Sequence, residues 1–217
     1  MSQTKKGLET KDNILASAKK LFYIHGLKNV STNMICKEAN VKLGTLTYYF
    51  NKKDDLLSYF YNDYMSRINQ FVKDSTDNLD PAKAHIYMIL LYYFNIYRDC
   101  NVVRFHEEVL ENTSMYNILY NQRETIAPFA AHSSLAQNDD MFEILILADN
   151  AVRREMNLAS AKSKQTKDLT EVKELVTKIY TVTAQLFSYD VNLLYEHIDE
   201  GYEFLLQHVH QFIPLLL

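Results

Sequence analysis

The chain has 217 residues, 47% hydrophobic and 23% charged, with four glycines and three prolines. That balance excludes a disordered chain, and so few breakers predict helix nearly throughout. The formal charge of −4 argues against nucleic acid, but residues 1–53 carry ten lysines against Glu9, Asp12 and Glu38, a net of +7 that leaves −11 for the rest.

A basic head on an acidic body is what one-sided phosphate binding produces, although a solvated lysine-rich face explains the charge equally well. Cys36 and Cys100 fit no metal or redox spacing and read as two buried thiols of a cytoplasmic protein. The polar start MSQTKKGLETKDN lacks the apolar run of a signal peptide. The longest apolar stretch, Ile86 to Tyr97, is interrupted by Asn95 and too short to span a bilayer, so no membrane partner is expected.

In chain order, the first helix is predicted from about Thr10, as N-cap, to His25, with Ile14, Leu15, Ala18, Leu21 and Phe22 on one face and Gly26 as the stop. A short second helix starts at Ser31 or Thr32 and runs to about Ala39, where Asn40 suits a tight left-handed turn. A third covers about Leu43 to Phe50. The fourth, about 53–76, links the head to the rest.

Asp80-Pro81 reads as an N-cap followed by proline at the first helical position. The helix from there to about Arg98 is apolar on nearly every side, as for the middle of a bundle. Further helices are expected at about 101–111, 114–131 and 139–162, with a polar loop at 160–167. Asp168 with Glu171 makes a capping-box-like start for a helix to about Ser188, and Asp190 opens a last one to about Phe212. The fold class is therefore all-α: a three-helix head, then a larger helical bundle, about nine to ten helices in total.

Residues 32–53, TNMICKEANVKLGTLTYYFNKK, carry the functional pattern. Two short helices joined by a tight turn bury little surface alone and need the first helix behind them, the tri-helical layout of a DNA-binding helix-turn-helix. The second helix of the pair would enter the major groove and present Lys42, Leu43, Thr45, Thr47, Tyr48 and Tyr49, with Leu46 and Phe50 as anchors. Gly44 would let backbone approach phosphate. Tyrosines and threonines can donate to phosphates or touch bases. Lys52 and Lys53 follow.

From about Thr10 to Leu57 the sequence resembles the TetR family of bacterial transcriptional regulators, on the strings ILASAKKLFYIHGLKNVST, KEANV and GTLTYYFNKKDDLL. Gly44, Thr45, Leu46, Tyr49, Phe50, Lys53 and Leu56 match the family's usual pattern. The resemblance implies a DNA-binding domain over 1–53 and a helical effector-binding and dimerisation domain over 54–217. It also implies that Thr32 caps the second helix against a phosphate, that Tyr48 and Tyr49 lie on the DNA face, and that Lys53 reaches a phosphate. Asn40, Lys42 and Thr47 depart from the pattern.

Beyond the head no motif is specific. Aromatic richness suggests a site for a small, largely apolar effector, with Tyr92, Asn95, Phe105, His106, Tyr120 and Phe142 as candidates. Apolar stripes on the last two helices nominate Ile179, Phe187, Leu194, Ile198, Leu205 and Phe212 for a homodimer interface. His208 and His210 are two apart and cannot share a metal, His106-Glu107-Glu108 reads as a solvated face, and no catalytic set, cofactor motif or metal site emerges. The expected function is a non-enzymatic DNA-binding transcriptional regulator, a repressor released from a palindromic double-stranded operator by its effector. The alternative is a helical effector-binding or interaction protein without specific DNA binding.

Overall fold

Side-chain caps set most of the helix starts. Asp80 Oδ1 accepts from the Ala82 and Lys83 N–H groups, Asp99 caps its helix through Asn101 and Val102, and Asp190 caps another through Asn192 and Leu193. Asp168 and Glu171 form the reciprocal capping box that the sequence suggests. The computed structural model describes residues 5–112, 122–131, 133–163, 166–211 and 213–216. Among them lie ten α-helices and no strand: α1 Lys5–His25, α2 Thr32–Glu38, α3 Leu43–Tyr49, α4 Lys53–Ser75, α5 Pro81–Tyr97, α6 Cys100–Glu111, α7 Gln122–Ala130, α8 Asp139–Ser163, α9 Leu169–Leu186 and α10 Val191–Gln207.

Three boundaries differ from the sequence reading. Helix α1 starts at Lys5, because the Thr10 hydroxyl donates to the Lys6 carbonyl inside the helix and caps nothing. Helix α8 extends to Ser163, four residues into the expected polar loop, and α10 ends at Gln207. Of the helix predicted at 114–131, residues 122–130 are seen as α7, which carries Pro128 within it. Cys100, expected inside, is exposed at the start of α6, whereas Cys36 is buried.

The apolar helix α5 is the axis of the bundle and packs against α4, α6, α7, α9 and α10. One continuous core runs from the head into the body. Leu56, Leu57 and Phe60 at the start of α4 are buried, and the Phe60 ring meets Phe22 of α1 edge-on. No described helix is long and apolar enough to cross a membrane.

Candidate nucleic-acid interface

Helices α2 and α3 are each seven residues long, too short to be stable alone, and are fixed by burial of Ile35, Cys36 and Leu46 against Ile14, Ala18 and Phe22. Ser31 is the N-cap of α2 and accepts from the Met34 N–H. Thr32 is the first helical residue and half-buried, so the capping role assigned to it passes to its neighbour. The turn closes on Asn40 at φ 51°, and Asn13 of α1 donates to the Ala39 carbonyl at 2.7 Å, clamping the turn to α1.

With Leu46 buried and Phe50 behind it, the opposite face of α3 projects outward. Lys42, Leu43, Gly44, Thr47 and Tyr48 are exposed, and Thr45 and Tyr49 are half-buried. Tyr48 is 77% exposed, with its ring edge-on to Tyr49. The Thr47 hydroxyl donates to the Leu43 carbonyl. A Cβ on Gly44 would meet nothing within 4 Å, so no internal contact requires glycine there.

Lys53 does not join this face. Its ammonium donates to the Leu27 and Val30 carbonyls at 2.9 and 3.1 Å, tying the loop after α1 to the start of α4, and burial lowers its pKa. Lys52 stays exposed, 3.7 Å from Asp54. Other head lysines also serve internally: Lys20 pairs with Glu38, Lys28 with Glu111, and Lys11 lies 4.5 Å over the Tyr59 ring.

Residues 14–60 match the family model of the bacterial regulatory proteins, tetR family. The match is confined to this N-terminal segment. An HTH-type transcriptional regulator of Staphylococcus aureus (strain bovine RF122 / ET3-1), SAB2452, is 29% identical to the chain over 92 residues, 41% of this chain and 50% of the relative. YttP, an HTH-type transcriptional regulator of Bacillus subtilis (strain 168), is 24% identical over 118 residues, 52% and 56% of the two chains. The chain thus spans about half the length of the curated relatives it matches. Among solved structures, RolR in complex with resorcinol superposes with a TM-score of 0.58 at 14% identity, over 90% of this chain and 96% of RolR. A TetR-family transcriptional regulator from Rhodococcus sp. gives 0.50 at 18% identity, over 81% and 99%. At these identities the likeness to RolR and the Rhodococcus protein is one of fold.

Helix α6 grips this N-terminal segment. Arg104 donates to the Tyr23 and Ile24 carbonyls at the end of α1, Glu108 accepts the Lys28 N–H at 2.8 Å, and Tyr23 donates to Asp99. The same helix sends Phe105 and His106 into the body. The Phe105 ring stacks between Phe22 and Tyr61, and His106 Nδ1 lies 2.8 Å from the Tyr61 hydroxyl. Tyr92 is 6.1 Å ring to ring from His106, whose Nε2 is buried without a partner.

The remaining effector candidates do not gather around His106. Asn95 donates to the Leu91 carbonyl and accepts from the Ile213 N–H, which fixes the C-terminal segment, and Phe142 packs on Phe187. Tyr120 lies outside the described residues, as does Phe212.

The other dimer candidates face inward. Ile179, Phe187, Leu194, Ile198 and Leu205 are all within 1% of complete burial inside the protomer, so their stripes form its core and are not available to a partner. The apolar side chains left outside on α10 are Leu193, Tyr195 and Leu206. A polar cluster inside the bundle had no counterpart in the sequence reading. On α8, Arg153 is fully buried and pairs with Asp149, with Asn150 and Asn157 on the same stripe. Only the i,i+4 spacing of Asp149 and Arg153 could have marked it, and that spacing also fits an exposed ion pair.

Proposed function

We propose that the chain is a DNA-binding transcriptional regulator, with residues 1–53 binding operator DNA and 54–217 binding a small-molecule effector and a second copy of the chain. The outer face of α3 carries this reading. Gly44, the second residue of α3, sits where the protein itself leaves open space, so internal packing does not call for glycine there, beside a large and almost bare Tyr48. Both features suit a helix that lies against an external backbone in the major groove. Lys42, Leu43, Thr45, Thr47, Tyr49 and Lys52 are the further residues we assign to this surface, together with Thr32 at the start of α2.

A repressor released by its effector is the regulatory sense we assign. RolR, which shares the fold, holds resorcinol, and α6 here touches both the aromatic interior and the end of α1. An effector that prefers one position of α6 would shift the head, and one with equal affinity for both positions would shift nothing. Two copies would read half-sites about 34–36 Å apart or a multiple of that. The outer faces of α9 and α10, with Leu193, Tyr195 and Leu206, are the surface we assign to the second copy.

The deciding experiment is fluorescence anisotropy of the full chain on DNA upstream of its own coding region and on scrambled DNA, across a salt series. Affinity at least about 10³-fold higher for the specific site supports the reading. Equal affinity for both leaves only a helical effector-binding or interaction protein.

A further inference from the structure

Asn150, Arg153 and Asn157 recur at i, i+3 and i+7 on α8, so they share one stripe, which meets Thr183 and Tyr180 of α9 and Tyr93 of α5. All three are more than nine-tenths buried. Arg153 is fully engaged. Its Nε and Nη2 donate to Asp149 Oδ2 at 3.2 and 2.9 Å, Nη2 also reaches the Thr183 hydroxyl, and the guanidinium lies 4.5 Å over the Tyr180 ring. Thr183 in turn donates to Asp149 Oδ1.

The two asparagines flanking it are incomplete. Asn157 Nδ2 donates to the Tyr93 hydroxyl and the Arg153 carbonyl, at 2.7 and 2.8 Å, while its Oδ1 has no partner. Turning the amide over would set Oδ1 against the Arg153 carbonyl and leave the NH₂ group orphaned instead, so neither orientation satisfies it. Asn150 Nδ2 is also buried and unpaired. Buried polar atoms left without partners are rare and destabilising, and an ion pair with two amides on one interior stripe is less stable than apolar packing. Each such orphan calls for an explanation, and a bound water or ligand that completes it is one.

We infer that the effector is a neutral molecule carrying a hydrogen-bond donor for Asn157 Oδ1 and an acceptor for Asn150 Nδ2, held on either side of Arg153. This inference rests on the effector-responsive reading above and replaces the largely apolar ligand expected from composition. Neutrality follows from the pairing of Arg153 with Asp149, which leaves no charge in the stripe to compensate a charged ligand. Seven helical residues separate the two amides, about 10 Å at 1.5 Å per residue, so with a hydrogen bond at each end the ligand is about the length of one para-substituted benzene ring. The rings of Tyr93 and Tyr180 border the stripe through their contacts with Asn157 and Arg153.

The test is calorimetric titration of the full-length protein with three probes of one shape: 4-acetamidophenol, which is neutral with a donor and an acceptor at opposite ends, p-cymene, which is apolar, and 4-acetamidobenzoate, which is anionic. The expected result is binding of 4-acetamidophenol at least about tenfold tighter than either alternative, the difference one well-made hydrogen bond supplies. Asn157→Leu and Asn150→Leu each abolish that preference while keeping the helical signal and a melting temperature no lower than wild type. Two independent variants keep the test valid if one of them fails to fold.

Equal or tighter binding of p-cymene overturns the inference, and so does a preference for the anion. Absence of saturable 4-acetamidophenol binding up to about 10 mM, beyond the millimolar range of weak specific complexes, also overturns it and leaves water as the occupant of the stripe. Operator binding measured on the same preparations separates the two ideas. Intact operator affinity without probe discrimination removes only the ligand class, whereas lost operator specificity removes the regulator reading and leaves the probe-binding result standing.

Discussion

Glu108 stands where a side chain on Gly26 would be: its Oε1 lies 2.8 Å from the position of an added Cβ, and its Oε2 accepts the Lys28 N–H. Gly26 has φ 79°, so the turn after α1 needs glycine for its backbone as well as for the space that α6 occupies. Gly26→Ala is expected to cost about 1–3 kcal/mol, from left-handed strain and displacement of the carboxylate. Glu108→Ala loses one hydrogen bond to a charged acceptor, about 1–2 kcal/mol. Because the two share one contact, the double variant costs less than the sum. Strict additivity in urea melts would show that the carboxylate and the glycine are not coupled.

Gly44 and Tyr48 should behave in the opposite way. Gly44→Ala adds a helix former in open space and is expected to stabilise the protein by about 0.5–1 kcal/mol, while weakening operator binding through contact with the DNA backbone. Tyr48→Ala should leave thermal stability within about 0.5 kcal/mol of wild type and cost about 1–3 kcal/mol on the operator. A Gly44→Ala protein that binds DNA as well as wild type would remove the close approach.

Lys53 and Lys52 separate a structural lysine from a phosphate contact. Since Lys53 holds the Leu27 and Val30 carbonyls, Lys53→Ala should destabilise the head by about 1–2 kcal/mol and leave the salt dependence of DNA binding unchanged. Lys52→Ala should have little effect on stability and reduce the logarithmic salt slope by about one. The reverse pattern in salt titrations would return Lys53 to the DNA face.

Two interior histidines make the fold acid-sensitive. Burial, with the charge of Arg153 added for His85, holds the pKa of His85 down at about 3, and burial alone does the same for His106. Both remain neutral in the folded chain and titrate near 6.5 when unfolded. Stability is therefore complete above about pH 6.5 and falls as pH drops toward 3, where the unfolded state binds the extra protons. Each histidine contributes a slope of up to about 1.4 kcal/mol per pH unit across that window. Chemical denaturation between pH 7 and pH 5 measures it, and His106→Gln should reduce the slope by its own share. A flat profile would mean that water reaches both rings.

The inward stripes of α9 and α10 redirect the dimer test. Phe187→Glu or Leu205→Glu places a charge at a fully buried site and should unfold the protomer. Leu193→Glu and Leu206→Glu change residues about 40% exposed, and together should yield folded monomers by sedimentation. Retention of the dimer in that pair would move the contact to another face.

The sequence by itself determined the helices and the layout of the head. Asp80, Asp168 and Asp190 cap their own helices, Asn40 takes the left-handed turn, and Leu46 follows from local period, because each depends on neighbours within a turn or two of chain. Tertiary packing alone decided the rest. Lys53 looks like its exposed neighbour Lys52 until the loop at Leu27–Val30 folds over it. Both stripes of α9 and α10 are apolar enough for a partner, and only the position of α5 turned Ile179, Leu194, Ile198 and Leu205 inward. Asn150, Arg153 and Asn157 carry the periodicity of a solvated helix face, and their burial reflects helices far away in sequence. Local rules record what a residue does to its own helix, and cannot say which surface meets another element once long-range contacts compete for it.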